Sequence, residues 1–372
     1  MHYGDILVNY NTVLDVKTDI IPFITEGEID KYKSNLLKNR DLVFADAAED
    51  MSVGKAIEIN NITTENIVAG LHTIVARARI QKADYFLGYY INSDNYHRQL
   101  LRLVQGTKVS SISKGSLKET KVSMPEILEE QKKIGSFFKL LDETITLHHD
   151  AIQCQQALKK GLLQQLFPAQ GQSVPELRFS DFNEEWEQRK LDSISEKTYG
   201  GGTPKTSIKE YWQGNFPWIQ SSDLKNDVLD NVEPVKFITE NAIEKSAVKK
   251  VPRDSIAIVT RVGVGKLALI PFSYGTSQDF LSLSKLNIDE NFAVFSLYNL
   301  LKRELYNIQG TSIKGITKMD LLNKQIYISL EMEEQIKIGN FFKTLDNTIA
   351  LHQQSLSNLK KLKQSLLQKM FI

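Results

Sequence analysis

Two long stretches of the chain space their apolar residues alternately by four and three. In the first, Ile134, Phe138, Leu141, Ile145, His148 and Ile152 follow one another; in the second, Ile338, Phe342, Leu345, Ile349, His352 and Leu356 do the same. That is the spacing of a helical seam that packs against a partner. Both seams weaken, around Gln155–Lys159 and Leu359–Lys363, and resume at Leu162, Leu166 and at Leu366, Met370. Pro125 and Pro168 bracket the first stretch, which predicts about 60 Å of helix at ~1.5 Å per residue. Glu331, Glu333 and Glu334 open the second and Lys360, Lys361, Lys363 and Lys369 close it, as the helix dipole favours. So broad an apolar stripe is not stable alone in water. The pattern predicts that the two helices pair with each other, antiparallel.

Elsewhere the apolar runs are short and strand-like. Ile6-Leu7-Val8, Asp41–Phe44 and Ile74–Ala78 read as strands in the first half, with one helix near Tyr85–Leu101. In the second half, Phe216–Ile219, Ser255–Val259, Leu267–Ile270 and Leu281–Leu286 read as strands and Phe292–Leu305 as a helix. Gly200-Gly201-Gly202-Thr203-Pro204 reads as a tight loop.

The two helical stretches are copies of each other. Glu129-Glu130-Gln131 returns as Glu333-Glu334-Gln335, Phe137-Phe138-Lys139 as Phe341-Phe342-Lys343, Leu141-Asp142 as Leu345-Asp346 and Leu147-His148 as Leu351-His352, always 204 residues later and without a gap. Gln105-Gly106-Thr107 returns at the same offset as Gln309-Gly310-Thr311. A period this long is a duplicated module rather than a solenoid of short units. The predicted fold is therefore mixed, α+β: two α/β domains joined by two long antiparallel coiled-coil helices, with pseudo-two-fold symmetry. Its expected segments are a first domain over 1–124, a helix over 125–168, a second domain over 171–330 and a helix over 331–372. The residues expected to pair the helices or to dock a partner subunit are Ile134, Phe137, Phe138, Leu141 and Ile145, with their copies Ile338, Phe341, Phe342, Leu345 and Ile349.

Composition narrows the function. At 372 residues and 41% hydrophobic content the chain can bury two or three cores. Its apolar runs fall far short of the ~20 residues of a membrane span, so no membrane partner is expected. The lone Cys154 excludes an intrachain disulfide and fits a reducing, cytoplasmic setting. A formal net charge of +1 is unusual for a chain that grips duplex DNA unaided. If it binds DNA, partners are expected to supply part of the phosphate neutralisation.

Catalytic patterns are missing. No two of the nine prolines are adjacent, which excludes the Pro-Pro signature of amino-methyltransferases. Gly263-Val264-Gly265-Lys266 lacks the spacing and the hydroxyl of a phosphate loop. No cofactor is therefore expected and no catalytic residue is assigned. His148 and His352 could ligate a metal, but nothing stands at ligand spacing beside them; hydrogen-bonded seam histidines, and no metal, are expected.

Base edges are read by forked donors and amides, phosphates by hydroxyls and amines. The repeated loops offer such groups: Thr107, Lys108, Ser110, Ser111 and Lys114 in the first module, and Thr311, Ser312, Lys314 and Lys318 in the second. A polar surface turn accounts for these loops equally well. Further candidates are Gly201, Gly202, Thr203 and Lys205, then Gln220, Ser221 and Ser222, and Arg261 with Lys266.

The run Glu-Glu-Gln-x-Lys-Ile-Gly-x-Phe-Phe-Lys-x-Leu-Asp-x-Thr-Ile-x-Leu-His, at 129–148 and again at 333–352, resembles the DNA-specificity subunit of type I restriction–modification systems. Pro175-Glu176-Leu177-Arg178-Phe179 with Trp186-Glu187, and Gly202-Thr203-Pro204 with Tyr211-Trp212 and Gly214, add to the likeness. The resemblance implies two target-recognition domains that each read half of a split site in double-stranded DNA. It also implies that the helices act as a ruler and dock two methyltransferase (M) subunits, with restriction (R) subunits joining that core. A coiled-coil interaction scaffold without base reading is the alternative. One departure stands out: Val53-Gly54-Lys55, the counterpart of Val264-Gly265-Lys266, lies close to Met1. The first recognition domain is accordingly expected to be short at its N-terminus, without a counterpart of the Gly200–Pro204 loop.

Overall fold

The computed structural model describes residues 1–25, 27–106, 108–307 and 315–371. These form two compact units. One comprises Met1–Ala151 with His352–Ile372, the other Ile152–Leu351. The dividing lines fall inside the two long helices, so each unit is built from parts of both.

The first unit opens with α1 (Tyr3–Val8), where the sequence pattern predicted a strand. A reciprocal cap explains the difference: the His2 imidazole accepts from the Gly4 N–H while the Asp5 carboxylate accepts from the His2 N–H. Strands β1 (Val13–Asp15), β2 (Leu42–Ala45), β3 (Ala47–Ala48), β4 (Ala56–Asn60) and β5 (Thr73–Ala76) follow. Four of them form a sheet in the order β1-β4-β2-β5, with β1 parallel to β4 and the rest antiparallel. The helix expected near Tyr85–Leu101 is two, α2 (Phe86–Ile91) and α3 (Asp94–Leu101). The break falls at Asn92, whose side-chain amide bonds both backbone groups of Ala56. After β6 (Ser110–Ser111), which pairs with β3, come α4 (Lys114–Glu119) and the long α5 (Leu128–Gln165).

The second unit contains β7 (Glu187–Lys190), β8 (Ser195–Gly200), β9 (Phe216–Ile219), β10 (Lys236–Ile238), α6 (Glu240–Glu244), β11 (Ser255–Val259), β12 (Leu267–Ile270), β13 (Gly275–Thr276) and β14 (Phe280–Leu286). It continues with α7 (Glu290–Asn307), α8 (Lys318–Leu322), β15 (Gln325–Ile328) and the second long helix, α9 (Met332–Met370). Its main sheet is antiparallel throughout, in the order β12-β11-β14-β8. A second sheet runs β10-β9-β13. The strands β2, β4 and β5 of the first unit repeat the arrangement of β11, β12 and β14. The counterparts differ at both edges: β8 covers β14 whereas β5 ends its sheet, and β1 covers β4 whereas β12 ends its sheet.

The repeated residues make repeated contacts. Gln131 donates to the Pro125 carbonyl and accepts from the Ala83 N–H; Gln335 donates to the Ser329 carbonyl and accepts from the Asp289 N–H. Gly135 and Gly339 let their helices press on the globular part. A Cβ at either would come within 2.6 Å of backbone, at Asp84 O in one unit and Phe292 N in the other. Phe138 is fully buried, with ring centroids 5.2 Å from Tyr89 and 5.5 Å from Phe371. Phe342, equally buried, lies 5.2 Å from Phe295 and 6.0 Å from Phe167. Phe371 and Phe167 are themselves copies, so in each unit the start of one helix meets the end of the other, and the pairing is antiparallel. By contrast, Phe137 and Phe341 remain exposed.

The weak stretches of the two seams hold charge pairs. Lys363 bonds Asp142 in one unit and Lys159 bonds Asp346 in the other, each at 2.5 Å. The lysines also lie over aromatic rings, Lys363 over Tyr89 and Lys159 over Phe295 and Tyr298. Burial and the Asp142 carboxylate push the Tyr89 phenol far above its ordinary range, which keeps it a donor to that carboxylate. His148 and His352 meet in the first unit, Nδ1 to Nδ1 at 2.9 Å, as hydrogen-bonded seam residues.

One ion pair belongs to the second unit alone. Arg178 grips the fully buried Glu334 with two hydrogen bonds, and the Trp186 indole N–H donates to the same carboxylate. The Pro175–Trp186 motif thus ties the opening of the second module to α9. Glu130, the copy of Glu334, is exposed.

Two expected outcomes follow for denaturant unfolding. Phe138→Ala and Phe342→Ala should each lower stability by about 3–5 kcal/mol, while Phe137→Ala and Phe341→Ala cost under ~1 kcal/mol. Arg178→Met, which strands a buried carboxylate, should cost about 3–5 kcal/mol, whereas Glu130→Ala should stay within roughly 0.5 kcal/mol of the parent.

Candidate nucleic-acid interface

In the second unit several of the candidate loops converge. Gly202 donates its N–H to the Thr276 carbonyl, and the Thr203 hydroxyl donates to the Gln278 side-chain carbonyl at 2.7 Å. Thr260 bonds the Asp279 carbonyl through both its N–H and its hydroxyl, and Ile316 donates its N–H to Thr260. Lys318 closes the ring from α8, its ammonium lying beside Gly200. Thr317 caps α8 by accepting from the Asp320 N–H, which fixes Lys318 in its first turn. Four loops, around 200–205, 260–261, 277–279 and 315–318, therefore share one hydrogen-bonded frame. Thr203, Lys205, Arg261, Gln278 and Lys318 are all exposed on it.

Some candidates have structural duties. Gly201 and Gly202 are needed where backbone crosses backbone: a Cβ on Gly201 would fall 1.7 Å from the Ser277 carbonyl oxygen, and one on Gly202 2.4 Å from the Ala247 carbonyl carbon. The Trp218 indole also donates to the Gly202 carbonyl. Close packing accounts for this pair without a ligand. Lys266 turns inward and donates to the Ser221 and Leu224 carbonyls. Its counterpart Lys55 does the same to Leu7 and Tyr10, with burial lowering its pKa. Both lysines brace a loop. Gln220 is held by Ser222 and Lys236, so Gln220, Ser221 and Ser222 form a turn beside Lys266.

In the first unit, Lys108, Ser110, Ser111 and Lys114 lie along one short segment. Ile112 donates its N–H to Asp46 just as Ile316 does to Thr260, and Ser113 caps α4 as Thr317 caps α8. Lys114 thereby takes the place that Lys318 holds in the second unit. Thr107, Thr311, Ser312 and Lys314 lie outside the described residues.

Gln278 and Lys236 were not singled out from the sequence. Gln278 was legible in principle, since Gly275–Asp279 is a polar break between the apolar runs ending at Ile270 and starting at Phe280. Among the described residues, no cluster of three or more His, Cys, Asp or Glu is arranged to hold a metal, and no helix is long and apolar enough to cross a membrane.

A duplicated helix, paired antiparallel within each unit, and a globular part carrying polar loops on a shared frame define the DNA-specificity class of fold. The chain belongs to the family described as type I restriction modification DNA specificity domain, which it matches over residues 3–155 and 183–361. It is 24% identical over 378 residues to the candidate specificity subunit of the type I restriction enzyme MjaX of Methanocaldococcus jannaschii, covering 97% of this chain and 85% of that one. With the EcoR124I/EcoR124II specificity subunit of Escherichia coli it shares 32% identity over 186 residues, 46% of this chain and 44% of the relative. Among solved structures, the S subunit of a type I restriction–modification system from M. genitalium has the same fold, with a TM-score of 0.61 at 15% identity over 97% of this chain and 88% of that chain.

Gly201→Ala tests the packing role assigned to the glycine loop. It should lower the unfolding midpoint in thermal melts of the chain without DNA. An unchanged melt would mean that the loop is free to give way.

Proposed function

We propose that this chain is the non-catalytic specificity subunit of a type I restriction–modification complex, reading a bipartite site in double-stranded DNA. The observation that carries the reading is the shared frame in the second unit, which presents amide, hydroxyl, guanidinium and ammonium groups together on rigid supports. Base readers and phosphate anchors are needed in that combination. Lys114 and Lys318, in matching places of the two modules, suit equivalent phosphate contacts in the two half-sites. A coiled-coil scaffold without base reading would leave these loops unexplained.

The helices suit a second duty. Phe137 and Leu147 are exposed on α5, and their copies Phe341 and Leu351 on α9. Apolar residues repeated in register and left uncovered fit two copies of the same partner, here two methyltransferase subunits, which the restriction subunits then join. Partner subunits closing on the duplex also supply the positive charge that a chain of net charge +1 lacks. The two continuous helices set the gap between the half-sites.

DNA selection from a random library by the assembled complex should return two defined half-sites with a fixed unspecified gap; a contiguous site or a freely varying gap would contradict the proposal. Arg261→Ala and Lys318→Ala should each flatten the salt dependence of binding by about one unit per lost phosphate contact, measured as log Kd against log salt, with the selected sequence unchanged.

A further inference from the structure

We infer that Gln278 is a base-reading residue of the second half-site, an inference that rests on the DNA-reading function proposed above. The side chain stands at the tip of the three-residue turn between β13 and β14, and that turn cannot easily move. The Ser277 N–H donates to the Ile219 carbonyl at 3.0 Å, and Thr260 holds the Asp279 carbonyl at 2.7 Å through its N–H and 3.0 Å through its hydroxyl. Gln278 is nevertheless exposed, so a turn anchored on both sides carries a side chain open to solvent.

Thr203 then orients the amide. Its hydroxyl donates to Oε1 of Gln278, which fixes which end of the amide is oxygen and which is nitrogen. Among the described residues, the Nε2 group has no acceptor, and Oε1 keeps a second lone pair. A donor beside an acceptor on a held plane matches the N7 acceptor and N6 amino donor of adenine in the major groove. Lys318 and Arg261, on loops bonded to the same frame, flank the turn with the charge needed to anchor adjacent phosphates. A glutamine that only met solvent would need neither the anchored turn nor the orienting hydroxyl.

The test is DNA selection with the complete methyltransferase complex carrying the parent chain, Gln278→Ala, Gln278→Glu or Thr203→Val. Gln278→Ala should lose roughly 5- to 100-fold discrimination at one adenine-containing base pair of the second half-site, with every other position and the whole first half-site unchanged. Gln278→Glu, which can only accept, should shift that position toward cytosine. Thr203→Val should relax the same position by less. A Gln278→Ala profile identical to the parent, or one weakened evenly at all positions, overturns the assignment while leaving the DNA-reading function intact. A parent complex that selects no sequence overturns both.

Discussion

Each unit's core is closed by a phenylalanine from the far end of a long helix. Phe371 packs among Phe86, Tyr90 and Phe138; Phe167 packs among Trp186, Phe292 and Phe342. Phe138 and Phe342 lie in the first third of the repeated helices, and Phe167 and Phe371 just beyond their ends. The modules seen in the sequence are therefore not the units that fold. Each globular part is completed by a helix end that belongs to the other copy, and the exchange is locked by Asp142 with Lys363 and by Asp346 with Lys159. Partly buried charge pairs of this kind add little net stability but penalise any slip that separates the partners. Burial raises the Asp346 pKa against the pull of Lys159, consistent with a pair that constrains the register more than it stabilises it.

This arrangement divides the labour in each unit. The helices and the sheets they cover repeat their main contacts, down to Gln131 and Gln335. The polar loops stand on that support and differ freely between the two copies. A recognition surface gains from this separation, because loops held by a packed scaffold can change their side chains without disturbing the core. The frame around Gly202, Thr260, Gln278 and Ile316 extends the support outward, so that the exposed groups are positioned by hydrogen bonds rather than by their own conformational preferences.

Much of the fold was legible in the chain. The seam spacing placed both helices, the offset repeat announced their pairing, and most of the β-rich runs became strands. Pattern failed where a side chain bonds to distant backbone. Ile6-Leu7-Val8 has strand-like composition, yet the cap formed by His2 and Asp5 makes it helical. Asn92 splits a continuous-looking helix by bonding Ala56. The seams fade at Lys159 and Lys363 because lysines read as polar in a periodicity count, although both ammonium groups reach half-buried carboxylates. The polar loops were harder still. Lys266 stands among the candidate DNA contacts in the sequence, but its two carbonyl acceptors lie more than forty positions away. Gly201 and Gly202 read in the sequence either as DNA contacts or as a structural turn, and only the fold brings the backbone of Ser277 and Ala247 against them. Gln278 depends on Thr203, 75 positions away, and only the fold brings the two together.

The exchange of helix ends is tested most directly by producing residues 1–168 and 169–372 as two separate chains, alone and together, and following size and thermal unfolding. The pair is expected to combine one to one with a single sharp transition, while neither part unfolds cooperatively as a monomer. Two parts that are each monomeric and melt sharply on their own would contradict the account.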